Sequence, residues 1–258
     1  MERRPDSHKG ENGTVAVIGG SSTIHGAPLL SALAAQASGV DLLFVSLPKI
    51  HEHVARMTSL NFQVHPFHGN ELEEKDISML TQMLATMDSA VMGPGIARTN
   101  TSLKALKELI ESASCPLVLD ASALQPWTLE TVRGRKAVLT PHLGELERLG
   151  ISQLEVERIS RELDITILVK GATDIVASSG VEREVPGGNA GLTVGGTGDA
   201  LAGLVGGLMA QGLSPADSCA KASLVIKQAG TNLFEEKGFA YTTMDVIKEI
   251  PRLLKAMR

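Results

Sequence analysis

Gly191-Leu192-Thr193-Val194-Gly195-Gly196-Thr197-Gly198-Asp199-Ala200-Leu201-Ala202-Gly203 decides how this chain reads. Glycines at 191, 195, 196 and 198 let the backbone come close to a ligand, and the small, apolar run from Ala200 to Ala210 predicts a buried helix behind them. The loop therefore ends at a helix N-terminus, where free backbone N–H groups and the positive pole of the helix dipole suit a phosphate or a developing oxyanion. Asp199 stands in the first turn of that helix. Two readings fit it. Either it is ordinary N-terminal chemistry over a tight glycine turn, or the loop amides hold a transferring phosphoryl group while Asp199 takes the proton of the attacking hydroxyl.

Upstream, apolar runs of buried-strand type alternate with helical segments, and polar groups follow the strand ends. Thr14 to Ile18 predicts a strand that runs into Gly19-Gly20-Ser21-Ser22; Gly26-Ala27-Pro28 then opens an apolar helix over 29–37. This junction does not supply the Gly-x-Gly-x-x-Gly spacing of a dinucleotide fingerprint. Further strands are expected over 41–47, 62–67, 89–92, 116–124, 136–140 and 165–169, and helices over 73–87, 102–113 and 151–163. Gly93-Pro94-Gly95 follows the 89–92 strand, either as a turn exposing backbone to a ligand or as a plain turn. Asp120 either caps a turn or faces the cleft. Pro141-His142-Leu143-Gly144-Glu145 is expensive to bury without hydrogen bonds and cheap in a wet cleft. Lys170, opening Lys170-Gly171-Ala172-Thr173-Asp174, is either a phosphate contact or a solvated turn lysine. Helices over 215–230 and 244–257 close the chain, and the pattern predicts a doubly wound α/β layer sandwich with its site on one edge.

Composition narrows the partners. The chain has 258 residues, 43% of them hydrophobic, enough for one large core, so we expect one domain over 14–258 and a flexible polar arm over 1–13. A formal net charge of −5 with interspersed signs gives no basic field for nucleic acid or an anionic membrane. Small molecules remain as ligands. The polar N-terminal stretch and the lack of a bilayer-length apolar run predict a cytoplasmic protein. Cys115 and Cys219 read as small buried hydrophobes rather than a disulfide or zinc site. His51 and His53 fall on different helix faces and read as surface residues, and His65 and His68 have no nearby carboxylate cluster, so no metal site is expected.

Gly195-Gly196-Thr197-Gly198-Asp199 before a small-residue helix resembles the anion-hole and catalytic-aspartate motif of the ribokinase-like superfamily. Within it, Gly19-Gly20-Ser21, Gly26-Ala27-Pro28, Gly93-Pro94-Gly95, the Asp120 to Leu124 segment, the Thr140 to Leu146 segment and Lys170-Gly171-Ala172 are together similar to the NAD(P)H-hydrate dehydratases, in order along 14–254. The resemblance implies a three-layer α/β/α sandwich with a mostly parallel central sheet. It implies a lyase of metabolite repair that dehydrates the S-epimer of hydrated NADH or NADPH, by passing a nucleotide phosphate to the ring hydroxyl and eliminating it. It also implies Asp199 as catalytic base and Gly196, Thr197 and Gly198 as anion hole. Ala27, Gly95, His142 and Asp199 would line the hydrated nucleotide, and Lys170, Gly171, Ala172, Thr173, Asp174 and Gly198 the adenine nucleotide. Magnesium, ADP as phosphate donor with ATP as the other candidate, AMP as product and a homotetrameric assembly complete the expectation.

Two departures stand out: Thr173 follows Ala172 directly, where the family usually has one more residue, and Thr23-Ile24-His25 lacks a tyrosine often found there. Many relatives also carry an epimerase domain in front, for which this chain has no room. Two competing readings are a ribokinase-like kinase of a hydroxymethylpyrimidine or thiazole, which would stop at a phosphoester, and a nucleotide-binding sensor without turnover.

Overall fold

Alternation along the strands sorts the apolar side chains into two cores. In β1 (Thr14–Ile18), Val15 and Val17 join one cluster while Ala16 and Ile18 join the other, and every central strand repeats the division. The computed structural model describes residues 3–257. Residues 1, 2 and 258, at the outer ends of the expected arm and domain, lie outside them.

Among the described residues nine strands form one sheet in the order β3-β2-β1-β4-β5-β6-β7-β8-β9. They are β1, β2 (Leu42–Ser46), β3 (Phe62–Val64), β4 (Ser89–Met92), β5 (Leu117–Leu119), β6 (Ala137–Leu139), β7 (Thr166–Val169), β8 (Asp174–Ser178) and β9 (Val181–Val185). Pairing is parallel from β3 through β7, and β8 and β9 add an antiparallel edge. One face is covered by α1 (Gly26–Ala37), α2 (Glu52–Thr58), α8 (Thr197–Ala210), α9 (Pro215–Lys237) and α10 (Thr243–Ala256). The other carries α3 (Glu74–Leu84), α4 (Asn100–Ser112), the short α5 (Thr128–Thr131), α6 (Leu143–Leu149) and α7 (Val156–Leu163). This is the expected three-layer sandwich with a mostly parallel sheet. Strand order reverses at β1: the chain leaves β1 for α1 on one face and β4 for α4 on the other, which makes a switch-point crevice of the kind where open α/β sheets hold ligands, and the two loops touch at its floor, Gly20 N–H donating to Pro94 O at 2.8 Å.

Several elements differ from the sequence reading. The strand expected over 116–124 stops at Leu119, because the chain turns at Ala121 (φ 53°) into a short 3-10 segment, Ala121–Ala123. The β8–β9 hairpin was not anticipated; its two-residue turn, Ser179-Gly180, has both φ values positive, the geometry that suits twisted hairpins. Helix α9 runs past Gly230 to Lys237: a methyl at Gly230 would stand 2.8 Å from Leu192 Cγ, so this glycine admits a neighbour and does not end the helix. Helix α7 begins at Val156, after a 3-10 turn over Gln153–Glu155. His68 does have a carboxylate beside it, Asp76 Oδ1 at 2.8 Å from Nδ1, which makes a hydrogen-bonded pair. Near the N-terminus, Asp41 Oδ2 accepts from the Gly10 and Asn12 backbone N–H groups. Cys115 and Cys219 are free and buried, as their type suggests.

Helices α1 and α8 pack closest at Gly203, where any side chain would overlap the Ser31 carbonyl. One turn away the Ser31 hydroxyl donates to the Asp199 carbonyl at 2.8 Å, so the same contact fixes the start of α8. Gly203→Ala is therefore expected to cost about 1–3 kcal/mol by overpacking, read from the midpoint of urea unfolding.

Candidate active site

The N-terminus of α8 is shaped by its neighbours. Gly196, the residue before the helix, has φ +97°, and a side chain there would run into Leu30 of α1. The Thr197 hydroxyl donates to Val194 O at 3.0 Å, and the Thr243 hydroxyl, from the start of α10, donates to Gly195 O at 2.8 Å. These bonds hold the loop; the Thr197 N–H leans back on Val194 O at a long 3.4 Å, and the Gly198 and Asp199 amides of the first turn have no carbonyl partner within the helix.

Asp199 lies half-buried at that turn, against charges delivered by three strand ends. Lys170, after β7, places Nζ 2.7 Å from Asp120 Oδ1, after β5, and 3.6 Å from Glu145 Oε2, after β6. Asp120 Oδ1 also accepts the Thr140 hydroxyl at 2.7 Å. Glu145 is fixed by a reciprocal cap: its Oε2 accepts the His142 backbone N–H at 3.0 Å, while His142 Nδ1 accepts the Glu145 N–H at 3.3 Å. Burial pushes the Asp199 carboxyl up to about 7, the Asp120 and Glu145 carboxylates push the same way, and the Lys170 ammonium opposes them. Burial alone would lower Lys170, but Asp120, Glu145 and Asp199 outweigh it and raise the ammonium above its ordinary value. A methyl at Gly198 would stand 3.4 Å from Lys170 Nζ, so the ammonium sits against the first turn of α8.

On one side of this turn is a cavity of about 780 Å³. His142, Lys170, Gly171, Ala172 and Asp174 form part of its wall, and Gly196, Thr197 and Gly198 another part. Thr173 is exposed and lies outside the lining. Leu201 of α8 and Ile226 and Lys227 of α9 add to the wall, and the loop after β9 completes it, where Asn189 is tied down by Nδ2 donating to Gly230 O at 2.7 Å and Oδ1 accepting the Tyr241 hydroxyl at 2.7 Å. Ala27 and Gly95 line a different place, the crevice after β1 and β4. A methyl at Gly95 would stand 3.2 Å from Ala27 Cβ and 2.8 Å from Ile24 Cγ2. His51, read from the sequence as a surface residue, is half-buried and donates Nε2 to Ser21 O at 3.0 Å, anchoring the turn that carries Ile24.

Among the described residues no three His, Cys, Asp or Glu side chains form a group that could hold a metal ion, and no helix is long and apolar enough to cross a membrane. The sequence reading did not assign Asp120, Glu145, Asn189 or Lys227 to the site. Glu145 had a signal, three residues after His142 at capping-box spacing; the partners of the others come from distant strands and helices.

A family model described as NAD(P)H-hydrate dehydratase matches residues 15–252. The chain is 39% identical over 269 residues to the ADP-dependent (S)-NAD(P)H-hydrate dehydratase of Nitrosopumilus maritimus, covering 98% of this chain and 92% of that protein. It is 34% identical over 270 residues to the bifunctional NAD(P)H-hydrate repair enzyme of Methanothermobacter thermautotrophicus, covering 98% of this chain and 51% of that protein, so it spans about half of the longer enzyme. The fold is shared with the crystal structure of the Bacillus subtilis ADP/ATP-dependent NAD(P)H-hydrate dehydratase co-crystallised with ATP/Mg2+, at TM-score 0.83 and 24% identity over 100% of this chain and 94% of that one. A hydroxyethylthiazole kinase of Pyrococcus horikoshii is more distant, at TM-score 0.63 and 20% identity over 95% of this chain and 89% of that one. With the model match spanning nearly the whole chain and the strand-end loops in the order the sequence motifs require, the chain belongs to the NAD(P)H-hydrate dehydratase family.

Proposed function

We propose that this chain dehydrates the S-epimer of hydrated NADH and NADPH, using ADP as phosphate donor and releasing AMP, phosphate and the repaired cofactor. One observation carries the reading: Asp199, its carboxyl raised to about 7, stands in the first turn of α8 directly after Gly196, Thr197 and Gly198, which wall a nucleotide-sized cavity, and its carbonyl is tied to Ser31 of α1, the helix that carries Ala27. The relatives of Nitrosopumilus maritimus and Cenarchaeum symbiosum, 39% and 37% identical, are named as ADP-dependent dehydratases, which favours dehydration over a kinase ending at a phosphoester.

In this proposal the adenine nucleotide occupies the cavity, held by Lys170, Gly171, Ala172, Asp174 and Gly198, with Thr173 beside them at the surface. Its terminal phosphate meets the amides of Gly196, Thr197 and Gly198. The hydrated ring enters past Ala27 and Gly95, with His142 bounding the shared mouth. Asp199 takes the proton of the ring hydroxyl as its oxygen attacks the terminal phosphorus of ADP and the bond to the AMP oxygen breaks. Phosphate, unlike hydroxide, is a good leaving group: the ring nitrogen's lone pair expels it, and loss of a proton from the adjacent carbon restores the double bond. Lys170 pairs with Asp120 and Glu145 beside the phosphates. Because those two carboxylates are committed to Lys170, magnesium is expected to enter on the nucleotide's phosphates, where it neutralises their charge.

The proposal takes 14–258 as one ribokinase-like dehydratase domain with 1–13 as an arm, supported by two cores that flank one continuous sheet. It also includes a cytoplasmic homo-oligomer, a tetramer by family resemblance, with no nucleic-acid or membrane partner, consistent with the net charge of −5.

With hydrated NADH and magnesium, ADP is expected to restore NADH absorbance and release AMP. Recovery with ATP alone would overturn the donor, and recovery with neither would overturn the function. Asp199→Asn is expected to lower turnover by about two to four orders of magnitude while nucleotide binding and fold persist. In the wild type, turnover should rise with pH through about 7, because the base acts only when ionised. Near-native turnover in Asp199→Asn would reduce Asp199 to a helix cap.

A further inference from the structure

Lys227 forms part of the cavity wall, yet its charge is already spent. It projects from α9 and is 5% exposed. Its ammonium donates to Ala172 O at 2.8 Å, Gly171 O at 3.1 Å and Gly187 O at 3.4 Å, and lies 3.4 Å from Asp174 Oδ1. Three N–H groups are thus shared among four acceptors, and none is left over for a ligand. Asp174 is committed in the same way: Oδ1 accepts the Gly171 N–H at 2.9 Å and Oδ2 the Ser223 hydroxyl at 2.5 Å. Ser223 lies one turn before Lys227 on α9, so a single helix face holds both ends of the arrangement.

The acceptors belong to two separate loops. Gly171 and Ala172 follow β7, and Gly187 follows β9; both loops wall the cavity. Because a trans peptide sets its C=O and N–H in opposite directions, carbonyls turned toward Lys227 aim the N–H groups of Ala172, Thr173 and Gly188 away from it. One buried side chain therefore fixes both the spacing of the two walls and the orientation of three of their peptide planes. The crevice at Ala27 and Gly95 is built on α1 and the loop after β4, which none of these bonds reaches.

We propose that Lys227 is a positioning residue for the adenine nucleotide: a clamp that holds the loops after β7 and β9 at the separation the nucleotide requires, without touching the hydrate or the reacting atoms. The inference rests on the reading of the cavity as the nucleotide site. It assigns to Lys227 a role opposite to that of Lys170, whose ammonium stands beside the anion hole.

The test compares wild type with Lys227→Met and Lys227→Gln, measuring ADP and ATP binding by calorimetry and steady-state constants with hydrated NADH. Lys227→Met is expected to raise the nucleotide Kd and KM by about tenfold or more, with kcat at saturating nucleotide and the hydrate KM within about twofold, the pattern of lost binding rather than lost chemistry. Lys227→Gln, which keeps two donors, should fall between. Should Lys227→Met fail to fold because Asp174 is left uncompensated, Lys227→Gln is compared with wild type alone, with weaker nucleotide binding expected and kcat and the hydrate KM within about twofold. Equal nucleotide affinity in variant and wild type would overturn the clamp, as would a parallel loss in kcat and hydrate KM. A wild type that binds neither nucleotide would overturn the reading of the cavity itself, and the clamp with it.

Discussion

Three carboxylates and one ammonium meet at the carboxyl edge of the sheet, and the rest of the site follows from their imbalance. Lys170 neutralises Asp120 directly and Glu145 at slightly longer range, which leaves Asp199 facing two like charges with only part of an opposite one. In water this would matter little. Burial, with the two like charges adding to it, lifts Asp199 to about 7, where the group ionises near neutrality, which is what a base acting on an alcohol requires. The helix N-terminus supplies the complementary part: amides that favour an anion within reach of the carboxylate that would otherwise repel it.

Close backbone approach makes that arrangement possible. The Asp120 terminus meets the turn after β4 at Gly93, where a side chain would overlap the Asp120 carbonyl, and side chains are absent at two further meeting points. Gly203 admits the Ser31 carbonyl of α1, and Gly95 admits Ile24 and Ala27. The α1–α8 contact therefore joins the crevice side of the site to the anion-hole side through one hydrogen bond, Ser31 to the Asp199 carbonyl. Such interiors repack in steps rather than deform smoothly, so small changes at α1 are transmitted to the base.

The parts of this arrangement that were legible in the sequence share a property: each is local. The glycine loop before Asp199 announces a helix start, and buried apolar runs announce strands with polar ends, which together suffice for the layered fold. What escaped was either short or distributed. The β8–β9 hairpin hides because β9, Val181-Glu182-Arg183-Glu184-Val185, is an exposed edge strand with charges where a core strand would be apolar. Ala121 adopts a left-handed conformation that its residue type does not advertise, so the strand through Asp120 read too long. The Asp120–Lys170–Glu145 cluster draws one residue from each of three strand ends, and Lys227 is one of three lysines on α9, with nothing in the local sequence to set it apart from Lys221 or Lys237. Only the fold brings their partners near.

In the proposed reaction a phosphoryl-transfer site performs a dehydration by converting the ring hydroxyl into a phosphate ester before it leaves. Hydrated NADH carrying a heavy-oxygen label in that hydroxyl tests this directly, by mass spectrometry of the products after turnover with the nucleotide. The label is expected in the released inorganic phosphate, since the labelled oxygen becomes the bridging atom that departs with phosphorus. Label recovered in water, with unlabelled phosphate, would mean that hydroxide leaves directly, and would contradict the role given to Asp199 and the anion hole.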